Sequence, residues 1–145
     1  MSAEQNKALV RHMVDETFNR GNIGLVDEFL SPDFVEREVL PPGIPSGREG
    51  VKLLAAMLHS AFPDFQATIE DIVAEGDKVV IRWKGEATQE GAFGGIPATG
   101  KSATWTGISI FRIAEGKVAE AIGEEDALSV LQQLGVVPPL GPGRR

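Results

Sequence analysis

Leu9, Val10, Met13, Val14 and Phe18 recur at helical spacing, with Arg11, His12, Asp15, Glu16 and Asn19 on the other side. The spacing predicts an amphipathic helix over Ala3 to Arg20, stopped by Gly21. A short helix follows, carrying Leu25, Val26, Phe29 and Leu30 on its apolar face and ending at Ser31-Pro32. "DFVEREV" reads as a short strand and "LPPGIPSG" as a loop. From Arg48 to Phe62 the period is again helical, with Val51, Leu54, Leu58 and Phe62 in one stripe widened by Leu53 and Met57. Beyond Pro63-Asp64 the period falls to two. "FQATIEDIVA" and "KVVIRWKGEAT" flank a turn at "EGD", and "SATWTGISIFRI" and "VAEAIG" flank "AEGK". "GAFGGIPATGK" is a Gly/Pro loop between the two hairpins. The last helix is expected from about Glu125 to Leu134, with Gly135 as its stop.

Helices gathered early and strands joined by short turns indicate an α+β fold, not an alternating α/β one. The pattern predicts one domain over residues 1–137 and a flexible tail over 138–145. An antiparallel sheet curled around a helix leaves an apolar pocket between them.

Composition narrows the chemistry. The 145 residues hold no cysteine and no tyrosine, two histidines, and a net charge of -7. Disulfides, thiolate nucleophiles and Cys-based metal sites are therefore excluded. An acidic chain without a basic cluster argues against nucleic acid and against anionic membranes. The polar N-terminus and the lack of a long apolar run point to a cytoplasmic protein. His12 and His59 have no partner at metal-ligand spacing, and both read as solvated. The glycines of the 91–101 loop match no phosphate-binding pattern.

The acidic run Glu124-Glu125-Asp126 opens the last helix, and Asp is a favoured N-cap. Asp126 is thus either that cap or an acid/base facing a pocket. Arg37 alternates against Glu36 and Glu38 and, if turned inward, could bind an anionic or carbonyl group. Arg82, Lys84 and Glu86 share one face of a central strand, exposed or at a dimer interface. Trp83, Trp105 and Phe111 could line a pocket with Phe62 and Met57, or simply pack the core.

The stretches "FNRGNIGLVDEFLSPDFV", "AFPDFQATIEDIVAEGDKVVIRW", "GAFGGIPATGK" and "GISIFRIAEGKVAEAIGEEDALSVLQQLG" resemble the SnoaL-like polyketide cyclases of the NTF2-like (cystatin-like) superfamily. The resemblance spans roughly Asn6 to Gly135. It implies a cone, a curved antiparallel sheet wrapped around the N-terminal helices, and a homodimer built on the sheet. It further implies a cofactor-independent, metal-free aldol-type ring closure of a small apolar or polyketide-type substrate. In that group an acidic residue where the final helix begins moves the proton, and Asp126 is the match. The pocket implied comprises Arg37, Met57, Trp83, Gln89, Trp105, Phe111 and Ile122. Many relatives have histidine where this chain has Arg37 and Gln89, and an aromatic where it has Ile122. Those replacements leave a second reading open, a cone that binds a small ligand without catalysis.

Overall fold

The structure, a computed structural model, describes residues 1–37 and 40–139. Helix α1 (Ala3–Met13) starts at a reciprocal cap. Ser2 Oγ accepts the Gln5 amide at 3.1 Å, and Gln5 Oε1 accepts the Ser2 amide at 2.9 Å. Asn6, Val10 and Met13 form its buried stripe. The long first helix expected from periodicity changes character here. Val14–Asn19 is a π-helix, closed by the Arg20 amide on the Asp15 carbonyl at 2.9 Å. The wider turn brings Asn19 to the rim of the sheet, where its amide grips Ala67. Nδ2 donates to the carbonyl at 3.0 Å, and Oδ1 accepts the amide at 2.7 Å.

A 3-10 turn (Ile23–Leu25) leads into the four-residue α2 (Val26–Phe29). Strand β1 (Leu30–Glu36) begins at once and contains the Ser31-Pro32 pair read as the helix stop. Proline is tolerated there because β1 is an edge strand. The rest of the expected strand, Glu38 and Val39, lies outside the described residues. Helix α3 (Arg48–Ala61) follows. Gly50 lies so close to the Pro45 carbonyl that a Cβ there would collide with it. Strands β2 (Gln66–Glu75), β3 (Lys78–Thr88), β4 (Ser102–Ala114) and β5 (Lys117–Glu125) complete the sheet, and α4 (Ala127–Gln133) ends the fold.

The sheet order is β1-β5-β4-β3-β2. The four later strands form the antiparallel meander the alternation predicts. β1 departs from the all-antiparallel expectation and joins β5 in parallel. The β4–β5 turn, Glu115-Gly116, has positive φ at both residues (51° and 77°), the twist a tight hairpin requires.

Alternation divides the sheet into two faces. Val79 and Ile81 on β3 and Phe111 on β4 point inward and pack with Val10, Phe29 and Phe34 in the larger apolar cluster. Phe62, Phe65, Trp105 and Leu134 build a second cluster towards α4. Trp83 packs against both. Helix α1 lies on β2 and β3, whereas α3 leans mainly on α2, β1 and the helical turns. Lys78, Val80, Arg82, Lys84 and Glu86 occupy the outer face.

Candidate functional site

The end of β5 decides which of the three carboxylates faces inward. The last strand runs two residues beyond the sequence expectation, to Glu125. Register pairs Phe111 with Ala121, Ser109 with Gly123, and Gly107 with Glu125. Phe111 is buried in the inner cluster, so the period of two carries Ser109, Gly107 and Glu125 to that same face. Glu124 pairs with Ile108 and points outward. Next to Gly107, the Trp83 indole from β3 lies directly over the bare glycine, where a Cβ would collide with the ring. Its Nε1–H donates to Ser109 Oγ at 3.2 Å.

Glu125 therefore stands at the rim of the inner face. It keeps exposed surface, yet enough protein surrounds the carboxyl for desolvation to push its pKa above the usual glutamate value. Such a group can take up and return a proton nearer neutrality than a fully solvated carboxylate.

Asp126 sits one residue on and lines the same shallow hollow as Glu125 and Gly107. It is exposed, and its Oδ1 accepts the Ser129 amide at 3.0 Å as the N-cap of α4. Its own amide donates to the Thr106 carbonyl at 3.0 Å. Both bonds tie the strand-to-helix corner down. The resemblance matched Asp126 to the acid of the family, with a helix cap as the alternative, and the cap is what its carboxylate forms here. With the strand two residues longer than expected, the inner-face position of the register falls to Glu125.

The other expected pocket residues separate into distinct places. Arg37 does not turn inward. It is exposed, and its Nε meets Glu120 Oε2 at 2.8 Å, which holds the Glu120 carboxyl below its usual range. Ile122 pairs with Ile110 on the outer face and is 40% exposed, so it cannot wall the interior. Gln89 is wholly buried but serves the 89–101 loop. Its Nε2 donates to the Ile96 and Pro97 carbonyls at 3.3 and 3.2 Å, and its Oε1 accepts from the Thr99 amide and hydroxyl at 3.2 and 2.8 Å. Phe111 and Trp105 are buried in the two apolar clusters. Met57 is half-buried on the flank of α3, and Trp83 is half-buried beside Glu125. Ser109 and Glu125 were missed by sequence reasoning. The signal was the alternation itself, since Phe111, Ser109 and Gly107 step inward along "WTGISIF".

The histidines also differ from one another. His12 is exposed, edge-on to Phe29 at 5.0 Å. His59, read as solvated, stacks near Gly21 and has its Nε2 buried without a hydrogen-bond partner. Among the described residues no group of three or more His, Asp or Glu side chains is placed to hold a metal. No helix of the described residues is long and apolar enough to cross a membrane.

The family model for SnoaL-like polyketide cyclase matches residues 8–134. The chain belongs to this family. It is 27% identical over 120 residues to nogalonic acid methyl ester cyclase of Streptomyces nogalater, covering 81% of this chain and 89% of that one. Among solved structures, TsrD from Streptomyces laurentii is 30% identical with a TM-score of 0.85, covering 94% of this chain and 99% of the other. A protein from Jannaschia sp. CCS1 assigned as a SnoaL-like polyketide cyclase is 26% identical with a TM-score of 0.81, covering 94% and 95%. AclR from Streptomyces galilaeus, assigned as a hydroxylase, is 29% identical with a TM-score of 0.84, covering 97% and 91%. These likenesses give this SnoaL-like chain the α+β, NTF2-like fold of the family, its curved sheet mixed through β1.

Proposed function

We propose that this SnoaL-like protein closes a ring in an uncharged polyketide-type ester, with Glu125 as the acid/base and no metal or organic cofactor. The observation that supports the reading is the register, which puts Glu125 at the rim of the inner face opposite Gly107, where desolvation raises its pKa although the residue keeps exposed surface. The inner face of β3–β5 bears Val79, Ile81, Trp83, Ser109 and Phe111 and no lysine or arginine, which suits an uncharged ligand.

The reaction is an intramolecular aldol addition. Ionised Glu125 removes a proton from the carbon next to a carbonyl. The resulting enolate carbon attacks a second carbonyl of the same molecule, forming the new C–C bond and breaking that C=O π bond. The alkoxide then takes the proton back from Glu125. Substrate and product are isomers, and the protein ends as it began. Trp83 and the neighbouring apolar groups would hold the chain folded, which converts the encounter of its two ends into a local step.

The test is incubation of the purified protein with nogalonic acid methyl ester, the substrate in the name of the Streptomyces nogalater relative. Cyclisation leaves the mass unchanged, whereas a hydroxylation would add an oxygen atom. Glu125→Gln should cut turnover by about 100-fold or more, the usual worth of a general base. Asp126→Asn keeps the capping oxygen and should remain active. Wild-type turnover in Glu125→Gln would sink the assignment. Binding of the ester without any reaction would favour the non-catalytic ligand-binding reading.

A further inference from the structure

Four inner-face positions at the end of the β4–β5 pair form a square: Gly107 opposite Glu125, and Ser109 opposite Gly123. Two opposite corners are glycines, so the only side chains in the square are Ser109 and Glu125, across its diagonal. Trp83 covers the Gly107 corner and donates its indole N–H to Ser109 Oγ at 3.2 Å. An indole nitrogen can only donate, so in this bond Ser109 is the acceptor. Its hydroxyl proton is left to point elsewhere. Among the described residues Ser109 Oγ makes no other hydrogen bond, and the residue is only half-buried.

We propose that Ser109 is a second catalytic residue of this site, donating its hydroxyl proton as a hydrogen bond to the carbonyl oxygen whose neighbouring carbon Glu125 deprotonates. This rests on the acid/base reading of Glu125. Diagonal partners on one sheet face lie roughly 7–8 Å apart at Cα. Both side chains rise from that face, and a productive complex places the carbonyl oxygen within about 3 Å of Ser109 Oγ and its neighbouring carbon at a similar distance from Glu125. The substrate unit would lie between the two side chains, with the bare Gly123 backbone on one side and the Trp83 indole over Gly107 on the other. Trp83 has two effects in this arrangement. It fixes the Ser109 rotamer, and its N–H polarises the hydroxyl towards stronger donation. As charge moves onto the carbonyl oxygen during proton removal, the Ser109 bond strengthens, which is the condition for lowering a barrier rather than merely binding.

The experiment measures kcat and KM on nogalonic acid methyl ester for wild type, Ser109→Ala, Ser109→Thr and Glu125→Gln, with melting curves for each. Ser109→Ala should lower kcat by roughly 100- to 1,000-fold with little change in KM, as for loss of one oxyanion donor. Ser109→Thr keeps a hydroxyl and should recover most of that loss, which a packing role would not predict. If Glu125→Gln is inactive while Ser109→Ala stays within about twofold of wild type, the Ser109 proposal falls and the acid/base reading stands. If wild type does not turn the ester over, its binding decides the matter, read by quenching of the fluorescence of the two tryptophans, Trp83 and Trp105. A several-fold weaker Kd in Ser109→Ala, restored in Ser109→Thr, then supports the hydrogen bond, though not its catalytic use. Equal Kd values, or no binding at all, overturn it.

Discussion

Glu125 and Asp126 are neighbours in sequence with opposite surroundings, because the chain passes from strand to helix between them. Asp126 faces solvent and caps α4, while Glu125 faces the interior edge, where desolvation raises its pKa. The sign of the pH dependence follows. The proton is favoured on Glu125 in the folded protein, so its contribution to stability is complete below the ordinary glutamate pKa. That contribution is lost as pH rises through the raised value. Activity runs the other way, since a general base works only when ionised. The kcat/KM profile should therefore fall on acidification with an inflection above the ordinary glutamate value of about 4.3. At neutral pH, Glu125→Gln should melt no lower than wild type, because it removes a desolvated charge. An inflection at or below the ordinary value would assign the base to another group. At this scale the sequence was half legible. Alternation in "KVVIRWKGEAT" correctly put Arg82, Lys84 and Glu86 on one face. It could not show that β5 continues through two more polar residues, and a helix boundary misplaced by two residues hid which carboxylate the register turns to the inner face.

Elements here are joined by side-chain amides that imitate backbone. β2 ends the sheet on one side, and Asn19 pairs with the free Ala67 edge. β4 extends beyond the end of β5, and there Gln133 pairs with Thr104, accepting its amide at 2.9 Å and donating to its carbonyl at 2.8 Å. Both clamps satisfy strand edges that would otherwise be free to pair with another chain. Gln89 does the same for the 89–101 loop, whose start also binds the end of α3 through the Glu90 and Gly91 amides on the Ala61 carbonyl. Phe93 of that loop packs edge-on to Phe62 at 5.7 Å, so loop and helix share the second cluster. Gln89→Ala would strand four hydrogen-bonding groups and leave a void at a fully buried position. A loss of about 2–4 kcal/mol in urea unfolding is expected. A loss below about 1 kcal/mol would show that the loop holds its shape without the clamp. None of these clamps has a local sequence signature, since each joins residues far apart or in irregular backbone. The parallel placement of β1 was hidden for the same reason. A strand of seven residues shows which face is apolar but not the direction of its partner. The π-helical stretch escaped because Val14 and Phe18 fit an α-helical stripe as well.

Across the whole molecule the two sheet faces present opposite problems. The inner face is covered by helices, yet the outer face carries an aliphatic row that no helix of the described chain covers. Register aligns Val73, Val80, Ile110 and Ile122 side by side across four strands. Val73, Ile110 and Ile122 are 55%, 38% and 40% exposed, and Ile108 beside them is 51% exposed. Charged rows border the stripe: Arg82 and Glu124 lie on one side, and Lys78, Arg112 and Glu120 on the other. An apolar strip rimmed by both signs of charge is self-compatible, as a two-fold interface must be. Four strands about 4.8 Å apart and nine residues long at about 3.4 Å each offer roughly 600 Å² before side-chain relief is counted. That approaches the roughly 800 Å² per partner of a stable complex. We therefore propose a homodimer through this face. Ile110 stands within the row, on the opposite sheet face from Glu125 and Ser109, so Ile110→Lys separates assembly from catalysis. Light scattering after gel filtration should give a dimer for wild type and a monomer for Ile110→Lys, with the same far-ultraviolet circular dichroism. A wild-type monomer, or a variant that still dimerises, would mean that this row is not the interface. If the monomeric variant retains the wild-type kcat on the ester, each protomer carries a complete site, as expected when Glu125, Ser109 and Trp83 all come from one chain.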